Sequence, residues 1–139
     1  MRDRPWAGAY RRDGRIQEVV LETVALTVVG IVAALHLGFL ALEMFLWERP
    51  AGRKVFGLSA ADAATTATLA KNQGLYNGFL AAGLVWGVLD DANRLPILVF
   101  FLTCIIIAGV YGAMTVSRSI LAVQALPAAV ALALVILAF

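Results

Sequence analysis

His36 and Glu43 are ionisable side chains inside an otherwise apolar stretch, ALHLGFLALEMFLW, residues 34–47. An imidazole and a carboxylate can move a proton between them and a substrate, and either can ligate a metal. Spacing separates the two uses. Seven residues along a helix place the pair on nearly the same face, about 10 Å apart. Two ligands of one zinc ion each sit about 2 Å from it, so this pair alone does not form a single-metal site. No HExxH spacing, phosphate loop or nucleophile elbow accompanies them, and no cofactor is implied. The chemistry left is hydrogen bonding to, or proton exchange with, a lipophilic or amphiphilic ligand, as in an isomerase. The plainer alternative is interhelical glue contributing about 0.6–2 kcal/mol per bond. In that case His36 bonds Thr103 or a backbone carbonyl.

The elements that must position these groups follow from composition. The chain has 139 residues, 62% hydrophobic and 14% charged, with a formal net charge of +2. Soluble domains carry about 45–50% apolar and about 25% charged residues. Polar surface is too scarce here to cover a water-soluble globule, so lipid is the expected solvent. The basic residues cluster at segment ends as membrane-flank charges and leave no nucleic-acid footprint. The single cysteine, Cys104, lies in the apolar run LVFFLTCIIIAGV and reads as an inert buried thiol. The basic opening MRDRPWAGAYRRDGRIQE precedes an apolar run too long for a signal-peptide core, so a retained span is expected.

Four apolar segments approach the roughly 20 residues that cross a bilayer: Val20 to Trp47, Lys71 to Leu89, Pro96 to Val116, and Ile120 to the terminus. Long runs without period-2 alternation exclude a barrel and predict helices. The expected fold is all-α: a charged amino-terminal extension, 1–19, and one four-helix transmembrane domain, 20–139. Pro50 and Gly52 are expected to end the first helix. Ser59 followed by Asp62 predicts an N-cap for a short amphipathic or surface helix, one able to run straight into the second span. The short connections DDANR and SRS make neighbouring helices antiparallel. Orientation is undetermined: six basic residues fall on one side and five on the other.

Helix rise then assigns depths. Let side B be the face carrying the loop 48–70, with Trp47 as its interfacial anchor. Glu43 lies about 6 Å below that surface and His36 about 16 Å below. Gln73, Tyr76 and Asn77 fall within about 3–9 Å of it, Tyr111 at about 7 Å and Gln124 at about 6 Å. These groups are expected to converge in one leaflet as a ligand pocket, with His36 at its floor and Glu43 bonded to Asn77 or Gln73. A carboxylate in hydrocarbon costs roughly 3 kcal/mol unless it faces the bundle interior or water and is satisfied there. Arg49, Arg53, Lys54, Lys71 and Arg118 form a basic rim on the same side, suited to lipid headgroups or to the head of the ligand. The pairs Gly74/Gly78 and Gly83/Gly87, with Gly109 and Gly112, predict close helix approach, within the chain or in self-association.

The motifs LHLGFLALEMFLW, GRKVFGL and NQGLYNGFLAAGL occur in this order. They resemble the Domain of Unknown Function 1304 family of small bacterial integral membrane proteins. The likeness runs from about Leu21 to the carboxyl end. It rests on His36, Glu43, Met44, Trp47, Gly52, Arg53, Lys54, Gly57, Asn72, Gln73, Gly74, Tyr76, Asn77 and Gly78. The resemblance implies a compact four-helix protein of the bacterial inner membrane with no established activity. Residues 1–18 depart from that pattern and suggest a docking segment for a larger complex, with Trp6 and Tyr10 as anchors. The expected partners are therefore membrane lipid, a lipophilic ligand, and a larger membrane complex or homo-oligomer. The rival to ligand binding is a structural or accessory subunit, in which the polar cluster only fixes packing.

Overall fold

Apolar residues recur at spacings of three and four along each long segment, and each segment is a helix. A computed structural model describes the backbone of residues 5–139 and the side chains of residues 14–139. The side chains of Trp6 and Tyr10 lie outside the described residues. The elements are α1 (Pro5–Phe45), α2 (Pro50–Phe56), α3 (Ala60–Leu89), α4 (Arg94–Thr115), a π turn (Leu121–Ala125) and α5 (Leu126–Ala138). The described residues contain only helices and the turns between them.

The four long helices pack in the cyclic order α1, α3, α4, α5, with α5 closing back onto α1. Each contributes one stripe to a common core: Ala25, Val29 and Val32 from α1, Leu84 from α3, Leu98, Leu102 and Ile105 from α4, and Ala128, Ala131 and Val135 from α5. Outside this core the helices expose large apolar residues, such as Leu37, Phe79, Phe100 and Ile136.

Among the described residues, three helices are long and apolar enough to cross a membrane: Gly14–Phe45, Arg94–Thr115 and Leu121–Ala138. The sequence pattern predicts four. The missing one is α3, whose apolar half is diluted by Asn72, Gln73 and Asn77 and by four glycines. The glycines are there because of what α3 packs against. A Cβ on Gly74 would lie 2.6 Å from Met44 Cγ, on Gly78 2.6 Å from Leu40 Cδ1, on Gly83 2.2 Å from Phe101, and on Gly87 2.5 Å from Leu98. Absent side chains let the backbones of α1, α3 and α4 approach closely.

Between α1 and α3 the chain departs from expectation in detail. The first helix stops at Phe45, and Pro50 begins α2 instead of ending α1. Proline suits a first helical turn, where its absent N–H would have found no partner. Gly52 presses against the end of α1, since a Cβ there would meet the Leu46 carbonyl oxygen at 2.0 Å. Gly57 then closes α2 in the left-handed region at φ 65°. Ser59 caps α3 as expected, its Oγ accepting from Asp62 N at 3.1 Å. From there α3 runs unbroken for 30 residues, so the stretches expected as a surface helix and as a second span form one helix.

At the opposite end, the α3–α4 turn is held by Asp90. Its carboxylate accepts from Asn93 N at 3.0 Å, from Asn93 Nδ2 at 3.2 Å and from the Trp86 indole at 3.2 Å. These donors, Asn93 foremost, hold its pKa below the ordinary carboxylate range. A depressed carboxylate stabilises the turn above its unfolded-state pKa and loses that contribution as pH falls through the folded one. Acidification through and below the usual carboxylate range should therefore speed amide exchange at Asn93 relative to the α4 interior. Equal protection at neutral and acid pH would refute this role.

The last span begins irregularly for a local reason. Pro127 has no N–H for the carbonyl four residues back, and its ring crowds that position. The helix widens just before it: Leu126 N–H bonds Leu121 O, a step of five residues. A π turn of this kind absorbs the proline without ending the helix.

Candidate functional site at the α1–α3 seam

The buried face of α1 runs through Ala25, Val29, Val32, Ala33 and His36, then continues half-buried through Leu40 and Glu43. Both ionisable groups of the opening motif therefore lie on the stripe that meets other helices. Their environments differ. Glu43 reaches α3, where Asn77 Nδ2 donates to its Oε2 at 2.7 Å. Asn77 is 6% exposed, and the same amide nitrogen also donates to Gln73 O at 3.3 Å. The pair is set by its surroundings: Gly74, one turn from Asn77, lets α3 rest on Glu43 and Met44, and Gly78 seats Leu40. Among the described residues, no donor reaches the other Glu43 oxygen, and the side chain is half-buried.

His36 is fully buried. Its Nδ1 lies 2.8 Å from Val32 O, and a carbonyl only accepts, so Nδ1 carries the hydrogen. The expected backbone-carbonyl partner is present, whereas Thr103 is exposed on α4. Phe39 stands edge-on to the imidazole at 5.9 Å. Nε2 is buried and, among the described residues, has no hydrogen-bond partner. A buried acceptor left unmatched costs about 1–3 kcal/mol.

The remaining groups do not join Glu43 and Asn77. Gln73 is exposed and contributes only its carbonyl. Tyr76 and Tyr111 face outward at 57% and 68% exposure. Gln124 lies in the π turn and donates to Ile105 O at 3.5 Å, across the α4–α5 seam on the far side of the helix ring. The one-leaflet cluster of six is thus a single bonded pair. The basic rim divides as well. Arg49, Lys54 and Lys71 are exposed and Arg53 half-buried around α2 and the start of α3, but Arg118 borders a groove between α4 and α5.

One contact near the pair goes beyond the sequence-based expectation. The Trp47 indole, expected as an interfacial anchor, donates to Thr66 Oγ1 at 3.1 Å and packs on Phe56 at 4.6 Å. It clamps α2 and α3 over the end of α1. Among the described residues, no group of three or more His, Cys, Asp or Glu could hold a metal ion.

With this geometry in place, comparison with known proteins identifies the lineage. The protein of unknown function family DUF1304 matches residues 30–136, a stretch containing His36, Glu43 and Asn77. The chain belongs to the DUF1304 family. This DUF1304 protein is similar to the uncharacterized protein YpaA of Lactococcus lactis subsp. lactis (strain IL1403). The two are 29% identical over 105 residues, covering 73% of this chain and 88% of that relative. No solved structure matches it.

Proposed function

We propose that the chain crosses the bacterial inner membrane four times and presents Glu43 laterally to the side-B leaflet, where it binds the polar head of a small amphiphile. Support for the fourth crossing comes from α3. Between Gly74 and Gly87 it is packed antiparallel against α1 and α4, both long enough to span, so it runs through the same layer. Apart from the Tyr76 hydroxyl, its large outward residues there, Leu75, Phe79, Val85 and Trp86, are apolar. Asn77 is turned inward to Glu43.

The observation that carries the ligand reading is the unspent half of Glu43. One oxygen is bonded to Asn77, and no described residue donates to the other, which leaves it for a ligand. A carboxylate in apolar surroundings is costly unless satisfied, and its complement is a hydroxyl or amine head. His36 Nε2 is a second unmatched acceptor, two turns deeper on the same face. The basic residues Arg49, Arg53, Lys54 and Lys71 stand at the side-B end, where they suit headgroups of the surrounding lipid.

A diazirine-bearing long-chain alcohol, photolysed with the protein in nanodiscs and mapped by mass spectrometry, tests this. Labelling should concentrate on residues 40–47 and 70–77 in the native chain and fall several-fold in Glu43→Ala. Equal labelling in both would remove the ligand reading. The closure of the seam by Gly74 and Gly78 favours a second reading, an accessory or structural subunit in which Glu43–Asn77 only locks α1 to α3. In that case Glu43→Ala loses stability and the label pattern does not change.

A further inference from the structure

The α4–α5 seam lies opposite Glu43 in the helix ring, so its properties do not depend on what Glu43 binds. A groove of about 430 Å³ opens there, and its walls are apolar apart from Arg118. Two features create it. Gly109 lets the π turn approach α4 until Ala125 stands 2.8–3.1 Å from where a Cβ would be. Beside this contact, the small side chains of Ala122 and Ala129 leave a channel walled by Ile106, Val110 and Leu126. Arg118 belongs to the short connection between α4 and the π turn, where a headgroup layer would lie. It is exposed and, among the described residues, has no acidic partner. The Ser117 and Ser119 hydroxyls, 2.8 Å apart, flank it in the same turn.

We infer that this groove holds one acyl chain of an anionic phospholipid, with the Arg118 guanidinium on its phosphate. The tail matches the apolar walls, and the charge matches an arginine that no described acidic group neutralises. Guanidinium pairs with phosphate oxygens in a planar, two-pronged geometry that a compact ammonium does not reproduce. A zwitterionic lipid would fill the channel equally well but gain less at its mouth.

Native mass spectrometry of the full chain, released from micelles containing equal amounts of phosphatidylglycerol and phosphatidylcholine, tests the inference. The native protein should carry one phosphatidylglycerol in preference to phosphatidylcholine. One interfacial arginine accounts for about a fivefold preference, the equivalent of about 1 kcal/mol, so Arg118→Gln should abolish it. Arg118→Lys should keep part of it. Ala122→Phe, which fills an exposed channel and leaves the core intact, should remove the bound lipid with Arg118 still present. Arg15→Gln, a charge at the far end of α1, should leave the preference unchanged. The inference is overturned by any of three results: no preference in the native chain, an Arg15→Gln loss equal to that of Arg118→Gln, or a second protein chain in place of the lipid.

Discussion

Replacing Gly109 with leucine should lower the stability of the helix assembly by about 3 kcal/mol. The reason is the identity of the neighbour. A Cβ at this position would lie 2.8 Å from the Ala125 backbone nitrogen and 2.9 Å from its Cβ, and neither atom can rotate away. Overpacking of this kind typically costs about 1–3 kcal/mol, more when backbones must separate. Glycine's poor helix propensity works the other way by about 1 kcal/mol. Gly112 shows the balance reversed. Its nearest neighbour is the half-buried Ile120 side chain at 3.2 Å, which need give by only a few tenths of an ångström, so Gly112→Ala should be neutral or slightly stabilising. The measurement is reversible unfolding in mixed micelles followed by circular dichroism. If both substitutions move the midpoint equally, the close contact of α4 with the π turn is not what holds the last helix.

Asn77→Leu should cost about 2 kcal/mol, more than a membrane hydrogen bond itself contributes, which averages about 0.6 and reaches about 1.7. The excess comes from the partner. Removing the amide leaves the Glu43 carboxylate at an apolar seam without the donor 2.7 Å away, and an abandoned polar group costs more than a matched pair yields. A double-mutant cycle separates these contributions. The double variant Glu43→Leu/Asn77→Leu should recover much of the single loss. Asn77→Asp should be worse than Asn77→Leu, because it sets two carboxyl groups in contact. Strict additivity of the two single losses would show that the pair is not coupled.

How much of the site was legible in the sequence depends on which coordinate a residue needs. Depth follows from helix rise alone, and it narrowed the partner of Glu43 to Asn77 or Gln73, of which the structure has Asn77. Azimuth is harder. Tyr76 and Asn77 are neighbours and so point about 100° apart; both could not face the same seam, and Tyr76 is the one outside. Gln73 shares the side of Asn77 but sits a turn above, where α1 is about to stop. Neighbour order cannot be read from any single segment. The closing of α5 onto α1 is what sends Gln124 and Arg118 to the seam opposite Glu43. The glycines of α3 announced close packing, and together with Asn72, Gln73 and Asn77 they lower its hydropathy over a span's length below that of the other three long helices. Pro127 carried the signal for the irregular start of the last helix, through the hydrogen bond it cannot make.

That same ring order has a consequence for biosynthesis. The first helix made is completed by the last one, since the α1 stripe through Ala25, Val29 and Val32 shares its core with Val135 and Ala131. Chains emerge from the ribosome at about 5–20 residues per second, so α1 waits several seconds with half its final neighbours still unsynthesised. During that interval the stripe through Val29 lacks its last partner, and ribosome-bound intermediates stalled before residue 121 should capture a protecting insertase by crosslinking at residue 29.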